Sequence, residues 1–408
     1  MSKKRVLLVA QNFYPETFKS NDIAFEMTKR GYDVSVLTAI PNYPEGVFYD
    51  GYGIFKRRVE TVDGVKVYRA LLMPRGRKAS PIGLSLNYIT YALFATLWVL
   101  FFFVWRKKYD AIIVHQTSPI TQAIPAIILG KLRRTKVYTW VLDIWPDSVV
   151  STIGERKSRF IIKPLNWITD WVYRNSYKIL ISSKGHRPLV NRNNDYSDKI
   201  IHFPNWCDDI MKMPKLDAPQ LPNGYVIMMA GNIADGIGVD SVVALVEELK
   251  DVNEVKFVFV GGGAKVDDLR KIFISKGLQN AYLMGRYPFA MMPAFYSQAD
   301  AMLLTLKKTY LPHLSATVPA RLQSYMSAGK PVLGMVSGDA ANLINELDCG
   351  FCVPAGEYKE LAEYIRNVVL PQKSMFEEKG IKSRFVFEQY FTKSMCMNNL
   401  EKYLDIRI

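Results

Sequence analysis

The sequence has few of the residues that build metal centres and disulfide frameworks. It contains four cysteines and four histidines in 408 residues. The cysteines are too few and too scattered for a disulfide framework, and no two histidines stand at an HxH or HExxH spacing, so we expect no metal site. The chain starts with a short apolar run, Val6–Ala10, which is typical of a strand rather than a signal peptide, so we expect a cytoplasmic chain.

Acidic residues are also scarce, but only in one half of the chain. The net charge is +15, from 53 basic and 38 acidic residues. Residues 1–205 hold 31 basic and 15 acidic residues, a net charge of +16, whereas residues 206–408 hold 22 and 23, a net charge of −1. An excess of this kind indicates an anionic partner, either nucleic acid or an anionic membrane surface.

One uncharged segment decides between these partners. Residues 79–105 carry no charge, and basic residues flank them on both sides: Arg75, Arg77, Lys78, Arg106, Lys107 and Lys108. The segment is long enough to span a bilayer, and a buried core helix would also explain it. A span would separate residues 1–78 from 109–205, although both contribute strands to one domain. We therefore expect a monotopic or peripheral membrane protein whose basic flanks bind lipid phosphates, and no nucleic-acid partner.

Short apolar strands alternate with helical patterns in both halves, which predicts an α/β protein with two doubly wound, Rossmann-like domains facing a cleft. The predicted domains are 1–205 and 206–385, followed by a helical segment over residues 386–408. Candidate strands in the first half are Val6–Ala10, Val34–Thr38, Val65–Ala70, Ala111–His115, Val137–Leu142, Ile179–Ser182 and Ile200–Phe203. Those in the second half are Tyr225–Ala230, Lys256–Val260, Ala281–Met284, Ala301–Thr305, Pro331–Met335 and Phe351–Val353.

Ligands of open α/β sheets bind at the carboxyl ends of the strands, so the loops that follow strands are the candidate site. The first loop has Gln11 where a dinucleotide fold needs GxGxxG, which argues against an NAD or FAD oxidoreductase. It is polar and aromatic, and suits a sugar or an acceptor head group, or it is an ordinary surface loop. Asp143 follows another strand and is a candidate general base, sugar-hydroxyl acceptor or helix cap. The candidate acceptor-binding residues are Tyr14, Pro15, Glu16, Asn21, His115 and Gln116.

The loops of the second domain suit a nucleoside diphosphate. Gly231, Asn232 and Gly262 let backbone N–H groups approach a phosphate, and Arg286 with Tyr287 can stack on a base. A hydroxyl-rich stretch opens a later helix and suits a diphosphate, with Arg321 as its cation. Its candidate residues are Ser315, Thr317, Val318, Arg321 and Ser324. No DxD motif accompanies it, so we expect no metal at the diphosphate.

Six motifs carry a resemblance to a known family. They are NFYPE at 12–16, LTAIPNYPEG at 37–46, DIWPDS at 143–148, FPNWCD at 203–208, GNI at 231–233 and VPARLQSYMSAGKPV at 318–332. With them the chain resembles retaining family 4 glycosyltransferases of GT-B fold, and within these the bacterial N-acetylfucosaminyltransferase-like subgroup of O-antigen and capsule biosynthesis. The resemblance implies that the first domain binds the acceptor and the second the nucleotide sugar. It also implies that the C-terminal helix, residues 386–408, crosses back to the first domain.

The chain departs from the family's pattern at several positions. Ala316 and Ser324 stand where many members have two glutamates, Asn232 where many have an arginine, and Asp143 where many have a histidine. We therefore assign catalysis to Asp143 and Arg321, with hydroxyl groups replacing the usual carboxylates.

We expect the protein to transfer a sugar from a UDP-sugar to a polyprenyl-diphosphate-linked saccharide in bacterial surface polysaccharide assembly. The transfer is expected to retain the anomeric configuration and to need no metal ion. We expect an N-acetylated hexosamine as the sugar, no cofactor, and a location on the cytoplasmic face of the inner membrane. Two alternatives stay open: a nucleotide-sugar epimerase of the same fold, and a catalytically silent membrane-bound assembly partner.

Overall fold

The computed structural model describes residues 3–77, 80–154, 160–214, 216–309 and 311–406. Lys78, in the predicted basic flank, and Ala79, the first residue of the predicted apolar segment, lie outside the described residues. The chain divides into two compact units, Met1–Phe203 with Met397–Ile408, and Pro204–Cys396. Each unit contains one sheet with helices on both faces.

The sheet of the first unit has eight strands. They are β1 (Arg5–Val9), β2 (Asp33–Ala39), β3 (Val59–Val62), β4 (Val65–Ala70), β5 (Ala111–Gln116), β6 (Lys136–Val141), β7 (Lys178–Ile181) and β8 (Ile200–His202). Their order is β3-β4-β2-β1-β5-β6-β7-β8, and each pair is parallel except β3 with β4. The sequence analysis did not predict β3, because this edge strand has no buried residue and therefore no apolar pattern.

The sheet of the second unit has six strands, all parallel. They are β9 (Tyr225–Ala230), β10 (Val255–Val260), β11 (Ala281–Gly285), β12 (Ala301–Thr305), β13 (Val332–Met335) and β14 (Gly350–Val353), in the order β11-β10-β9-β12-β13-β14. The predicted strands of both units agree with the structure to within one residue at each end. The second sheet has an apolar cluster on each face. The first sheet has one such cluster, and the alternate residues of its central strands, such as Leu8, Val36 and Ile113, are also buried. Parallel strands covered on both sides must be apolar throughout.

The helices of the first unit connect and cover its strands. They are α1 (Lys19–Lys29), α2 (Pro81–Phe101), α3 (Ile124–Arg133), α4 (Asp147–Ile153), α5 (Ile162–Asn175) and α6 (His186–Val190). Those of the second unit are α7 (Val239–Glu248), α8 (Val266–Ser275), α9 (Met292–Gln298), α10 (Pro312–Ser315), α11 (Ala320–Ser327), α12 (Asp339–Glu346), α13 (Tyr358–Tyr364) and α14 (Lys373–Val386).

The end of the chain is not the single helix that the sequence pattern predicts over residues 386–408. Helix α14 ends at Val386, a π-helical turn spans Phe387–Phe391, and the last helix, α15 (Lys393–Leu404), follows extended backbone at Thr392. The end of α15 packs in the first unit, where the Tyr138 hydroxyl donates to the Leu404 carbonyl at 2.9 Å.

Helix α2 has two different faces. A stripe of residues four apart is buried against the first unit, namely Asn87, Tyr91, Ala95 and Val99. The opposite face is apolar and exposed, with exposed fractions of 74% at Ile82, 60% at Ile89, 54% at Leu93 and 77% at Phe101. Within the described ranges, this is the one helix that is long and apolar enough to cross a membrane, and 28% of its most apolar stretch is buried. The segment is therefore a surface helix that packs on its domain through one face.

Candidate active site

The carboxyl ends of three strands of the second unit surround one open pocket. The pocket encloses about 1500 Å³, including the solvent at its mouth. It brings together most of the predicted donor-binding residues: Gly231, Asn232, Gly262, Arg286, Tyr287, Arg321 and Ser324. These residues come from the loops after β9, β10 and β11 and from helix α11, so residues up to 93 positions apart in the chain share one site.

Glycine is required where the loops after β9 and β10 touch. Gly261 and Gly263 have φ angles of +152° and +151°. A Cβ atom at Gly261 would lie 1.9 Å from the Gly231 carbonyl oxygen, and one at Gly263 would lie 2.2 Å from the Ile233 carbonyl oxygen. Gly262 has ordinary backbone, and a Cβ atom there would meet nothing closer than the Arg286 side chain at 3.6 Å. The sequence analysis singled out Gly262, but its two neighbours bring the backbones together.

Arg321 is the best-placed cation of the pocket. Its Nη2 donates to the Asn232 carbonyl at 2.8 Å, which anchors the guanidinium beside the first loop. Its Nη1 is buried and has no hydrogen-bond partner in the part of the chain that the structure describes. Lys307, by contrast, pairs with Asp235 at 2.8 Å. An anchored guanidinium with a spare N–H group is suited to bind an anionic oxygen.

Three predicted donor-binding residues do not line this pocket: Ser315, Thr317 and Val318. The Thr317 hydroxyl donates to the His313 carbonyl at 2.9 Å within its own turn, and Val318 packs against the apolar core. The sequence analysis missed an apolar and aromatic wall formed by Phe289, Met292 and Tyr296. A signal was present, because the Arg286-Tyr287-Pro288 loop runs directly into Phe289.

The corresponding edge of the first unit is built from buried polar side chains. Gln11 follows β1, and its Nε2 donates to Asn87 Oδ1 of helix α2 at 2.6 Å. The Asn87 amide in turn donates to Asn42 Oδ1 at 3.3 Å and to the Met73 carbonyl at 2.7 Å. These contacts tie α2 to the strand ends. The sequence analysis did not single out Asn42 or Asn87, because their partners are distant in the chain.

Two of the predicted acceptor-binding residues hold the loop after β1 in shape. Glu16 is 3% exposed, and one carboxylate oxygen accepts from the backbone N–H groups of Asn42 and Tyr43 at 2.7 and 2.6 Å. Burial raises the pKa of Glu16, against the opposing effect of these hydrogen bonds. Asn21 accepts from the Tyr14 N–H at 3.0 Å and donates to the Glu16 carbonyl at 2.7 Å. Of the predicted acceptor-binding residues in this loop, the exposed Tyr14 ring and the half-buried Pro15 are the ones that a ligand can reach.

His115 and Gln116 lie inside the first unit. His115 is 2% exposed, and burial lowers its pKa to about 3, so the imidazole is neutral. Its Nε2 has no hydrogen-bond partner among the described residues. Gln116 is fully buried, and its Nε2 donates to the Asp143 carbonyl at 3.2 Å. Both residues therefore support the loops of the edge rather than line its surface.

Asp143 is half-buried at the carboxyl end of β6. Its Oδ2 accepts from the Ser118 N–H, in the loop after β5, at 2.8 Å. Helix α4 begins at Asp147 after Pro146, so Asp143 does not cap it. Asp147 is engaged elsewhere, since it pairs with Arg192 at 2.9 Å. Asp143 is therefore the partly accessible carboxylate of this edge.

Two cysteines three residues apart, Cys349 and Cys352, lie at β14 away from the pocket. Burial raises the pKa of their thiols to about 11 and about 12, so both are protonated at neutral pH. Across the described ranges, no group of three or more His, Cys, Asp or Glu side chains is arranged to hold a metal ion.

Two family descriptions match the chain, one for each half. Residues 20–206 match the glycosyl transferase 4-like domain, and residues 216–382 match glycosyl transferases group 1. The chain is therefore a glycosyltransferase of GT-B type, in which both Rossmann-like domains are glycosyltransferase domains.

Individual proteins agree with this assignment. The chain is 22% identical over 275 residues to a probable glycosyltransferase, WbjE, of Pseudomonas aeruginosa, covering 64% of this chain and 67% of that protein. It is 22% identical over 394 residues to a putative colanic acid biosynthesis glycosyl transferase, WcaI, of Escherichia coli K12, covering 90% and 93%. Its fold is similar to that of Anabaena Alr3699/HepE, which was crystallised with UDP. The TM-score is 0.65 and the identity 14%, and the match covers 98% of this chain and 99% of that one.

Proposed function

We propose that this glycosyltransferase transfers a sugar from a UDP-sugar to a saccharide on a polyprenyl diphosphate, with retention of configuration and without a metal ion. The reaction belongs to bacterial surface polysaccharide assembly, on the cytoplasmic face of the inner membrane. The observation that carries the proposal is the second-unit pocket, where glycine backbone and a spare guanidinium N–H meet at the strand ends.

The pocket supports a nucleoside diphosphate donor. Close backbone at Gly261 and Gly263 leaves space beside Gly262 for a diphosphate, and Arg321 can neutralise its charge. Arg286, Tyr287 and Phe289 form a wall on which a base can stack. HepE, a protein of similar fold, was crystallised with UDP, and this supports uracil as the base.

The chemistry follows from stabilisation of the leaving group. The bond between the anomeric carbon and the UDP oxygen breaks while the acceptor hydroxyl attacks from the same face. The hydroxyl proton passes to the departing phosphate oxygen, and Arg321 stabilises the charge that develops there. Asp143 accepts a hydrogen bond from the reacting hydroxyl of the saccharide and so orients it. No carboxylate of this scheme forms a covalent bond, so retention comes from same-face attack.

The first unit supports a lipid-linked acceptor. The exposed face of α2 is apolar along its length, and Arg106 follows its end, stacked on Phe102 at 4.1 Å. An adjacent loop exposes Phe55 almost completely, next to Lys56 and Arg57. Apolar side chains beside basic ones are typical of a surface that enters one leaflet and contacts anionic lipid. The name of WcaI, a colanic acid biosynthesis protein, and the resemblance to N-acetylfucosaminyltransferases support polysaccharide assembly and an N-acetylated hexosamine.

A transfer assay tests the proposal. Purified protein in nanodiscs is given a panel of UDP-sugars and a saccharide-linked polyprenyl diphosphate, and the anomeric configuration of the product is determined by NMR. We expect a retained configuration and unchanged turnover in EDTA. An inverted product, or activity lost in EDTA and restored by Mg²⁺, contradicts the mechanism. Sugar conversion without acceptor favours the epimerase.

The variant Asp143→Asn separates catalysis from donor binding. Asparagine keeps the shape of the side chain and the oxygen that accepts from the Ser118 N–H. It removes the negative charge that orients the hydroxyl group of the saccharide acceptor. We expect kcat to fall about 100-fold while the UDP dissociation constant stays the same. Full turnover of this variant would show that Asp143 has no part in the reaction.

A further inference from the structure

A second pocket lies entirely in the first unit, beside the N-terminal half of α2. It encloses about 730 Å³, including its open mouth. Its walls are mostly apolar and include Leu84, Tyr88, Trp145, Val149, Ile161 and Leu165. None of the site residues predicted from the sequence lines this pocket, and the transfer reaction as described above does not use it.

The mouth of the pocket continues the exposed apolar face of α2. Ile89 and Ile161 line the pocket and are also 60% and 40% exposed. Neighbouring residues add to this surface, since Ile82 is 74% and Phe160 is 86% exposed. Ile89 and Ile161 therefore give a hydrocarbon chain an apolar path from this surface into the pocket.

The inner end of the pocket reaches the candidate catalytic edge. Trp145 Nε1 donates to Ser118 Oγ at 3.1 Å, and both residues line the pocket. The backbone N–H of the same Ser118 donates to Asp143 at 2.8 Å. The inner end is thus one hydrogen bond away from the carboxylate that orients the acceptor.

A cation, Arg75, lies beside this pocket: its backbone carbonyl packs against Gly83 in the first turn of α2, although Arg75 is not one of the lining residues. Tyr88 lines the pocket and interacts electrostatically with both Arg75 and Asp143. The Arg75 guanidinium stacks on the Tyr43 ring at 4.5 Å, and its Nε is buried without a hydrogen-bond partner among the residues that the structure describes. The apolar pocket therefore lies beside a cation that interacts with one of its lining residues, Tyr88.

We infer that this pocket binds the first isoprene units of the acceptor's polyprenyl chain, and that Arg75 pairs with the diphosphate that follows them. The inference rests on the proposed function, because it locates the lipid of the proposed acceptor. An ordinary phospholipid chain would fill the same apolar space. The acceptor lipid is favoured because its head group must reach Asp143, which is where the pocket ends.

Pocket-filling variants test the inference. Val149→Trp fills the pocket from α4, and Ser85→Trp fills it from an exposed position of α2, where the larger side chain does not disturb the core. Leu132→Trp, on the exposed face of α3, is the matched control. Each protein is assayed with the same saccharide on a polyprenyl diphosphate in nanodiscs and on methyl diphosphate in solution.

The expected result is selective. We compare kcat/KM for the polyprenyl acceptor with kcat/KM for the methyl acceptor. In both pocket variants the ratio of the first to the second falls about ten-fold, because the tryptophan displaces bound isoprene carbons. In the control the ratio is unchanged. An equal loss on both acceptors, or no loss on either, overturns the inference.

Photo-cross-linking gives a readout that does not need transfer. A polyprenyl phosphate with a diazirine on its second isoprene unit is irradiated with the wild-type protein in nanodiscs, and labelled peptides are identified by mass spectrometry. We expect labels on the peptides carrying Tyr88 and Val149, removed by excess polyprenyl phosphate and absent in Val149→Trp. Labels confined to Leu93 and Phe101, or equal competition by phospholipid, overturn the inference. Labelling of the pocket without transfer to either acceptor would contradict the proposed function alone.

Discussion

The two units have the same strand order around their first strand but opposite chemistry at the strand ends. Strand β1 lies between β2 and β5, and β9 lies between β10 and β12. The edge of the first unit is filled by buried amide and carboxylate side chains that bind one another, such as Gln11, Asn87 and Glu16. The edge of the second unit is formed by glycine backbone and by the half-buried Arg321.

The difference shows how one topology supports two kinds of site. Buried side chains that hydrogen-bond to one another make a rigid edge, which can position loops such as that of Asp143. Glycine backbone and a guanidinium with a spare N–H make an edge whose hydrogen-bond donors are used fully only when an anion is bound. Substitutions should therefore affect stability at the first edge and ligand binding at the second.

The largest effect is expected from Arg321→Ala. Removing the guanidinium leaves the departing diphosphate without its cation, and loss of one such group typically costs about 100-fold to 1000-fold in kcat. The measurement is kcat and KM for the UDP-sugar, with Arg321→Lys as the control that keeps the charge without the planar fork. If the kcat/KM of Arg321→Ala stays within about two-fold of the wild-type value, Arg321 does not stabilise the departing diphosphate.

A smaller effect, on stability, should separate two adjacent glycines. Gly263→Ala places a Cβ atom 2.2 Å from the Ile233 carbonyl oxygen at a φ of +151°, whereas Gly262→Ala meets nothing within 3.6 Å. We expect Gly263→Ala to lose about 2 kcal/mol of unfolding free energy and Gly262→Ala less than about 0.5 kcal/mol. Urea denaturation of both variants checks this, and similar losses at both positions would show that close backbone contact does not build this edge.

The last expected effect is a pH dependence at the first edge. The folded-state pKa of His115 is lowered from 6.5 to about 3 by burial, so between these values the unfolded chain binds a proton that the folded chain does not. Stability from this residue is therefore complete above pH 6.5 and is lost as the pH falls toward 3, by at most about 1.4 kcal/mol per pH unit.

Urea denaturation between pH 7.5 and pH 5 measures this dependence. His115→Phe should lose stability less steeply than wild type as the solution is acidified, while Ser324→Ala, at the other edge, should keep the wild-type slope. Identical slopes in wild type and His115→Phe would mean that His115 is not buried as a neutral ring.

Most of the fold follows from local patterns in the sequence. Continuous apolar strands separated by helices predicted both parallel sheets, because such strands need cover on both faces. The exposed edge strand β3 escaped prediction, since a strand without a buried residue leaves no such pattern. The donor pocket was partly predictable because Gly231, Gly262 and Arg286 directly follow strands. Thr317 and Val318 were expected in the same pocket, but their short turn directs them elsewhere.

The amino-acid order alone thus determined where most strands form, which loops carry glycine, and that one long segment carries no charge. Only the tertiary structure decided which face of the helix in that segment is buried, because the choice depends on partners such as Gln11 and Asn87, 76 residues apart. It also decided that Glu16 and His115 lie inside while Tyr14 reaches solvent. Burial depends on contacts between distant segments, and a local sequence pattern contains no information about those contacts.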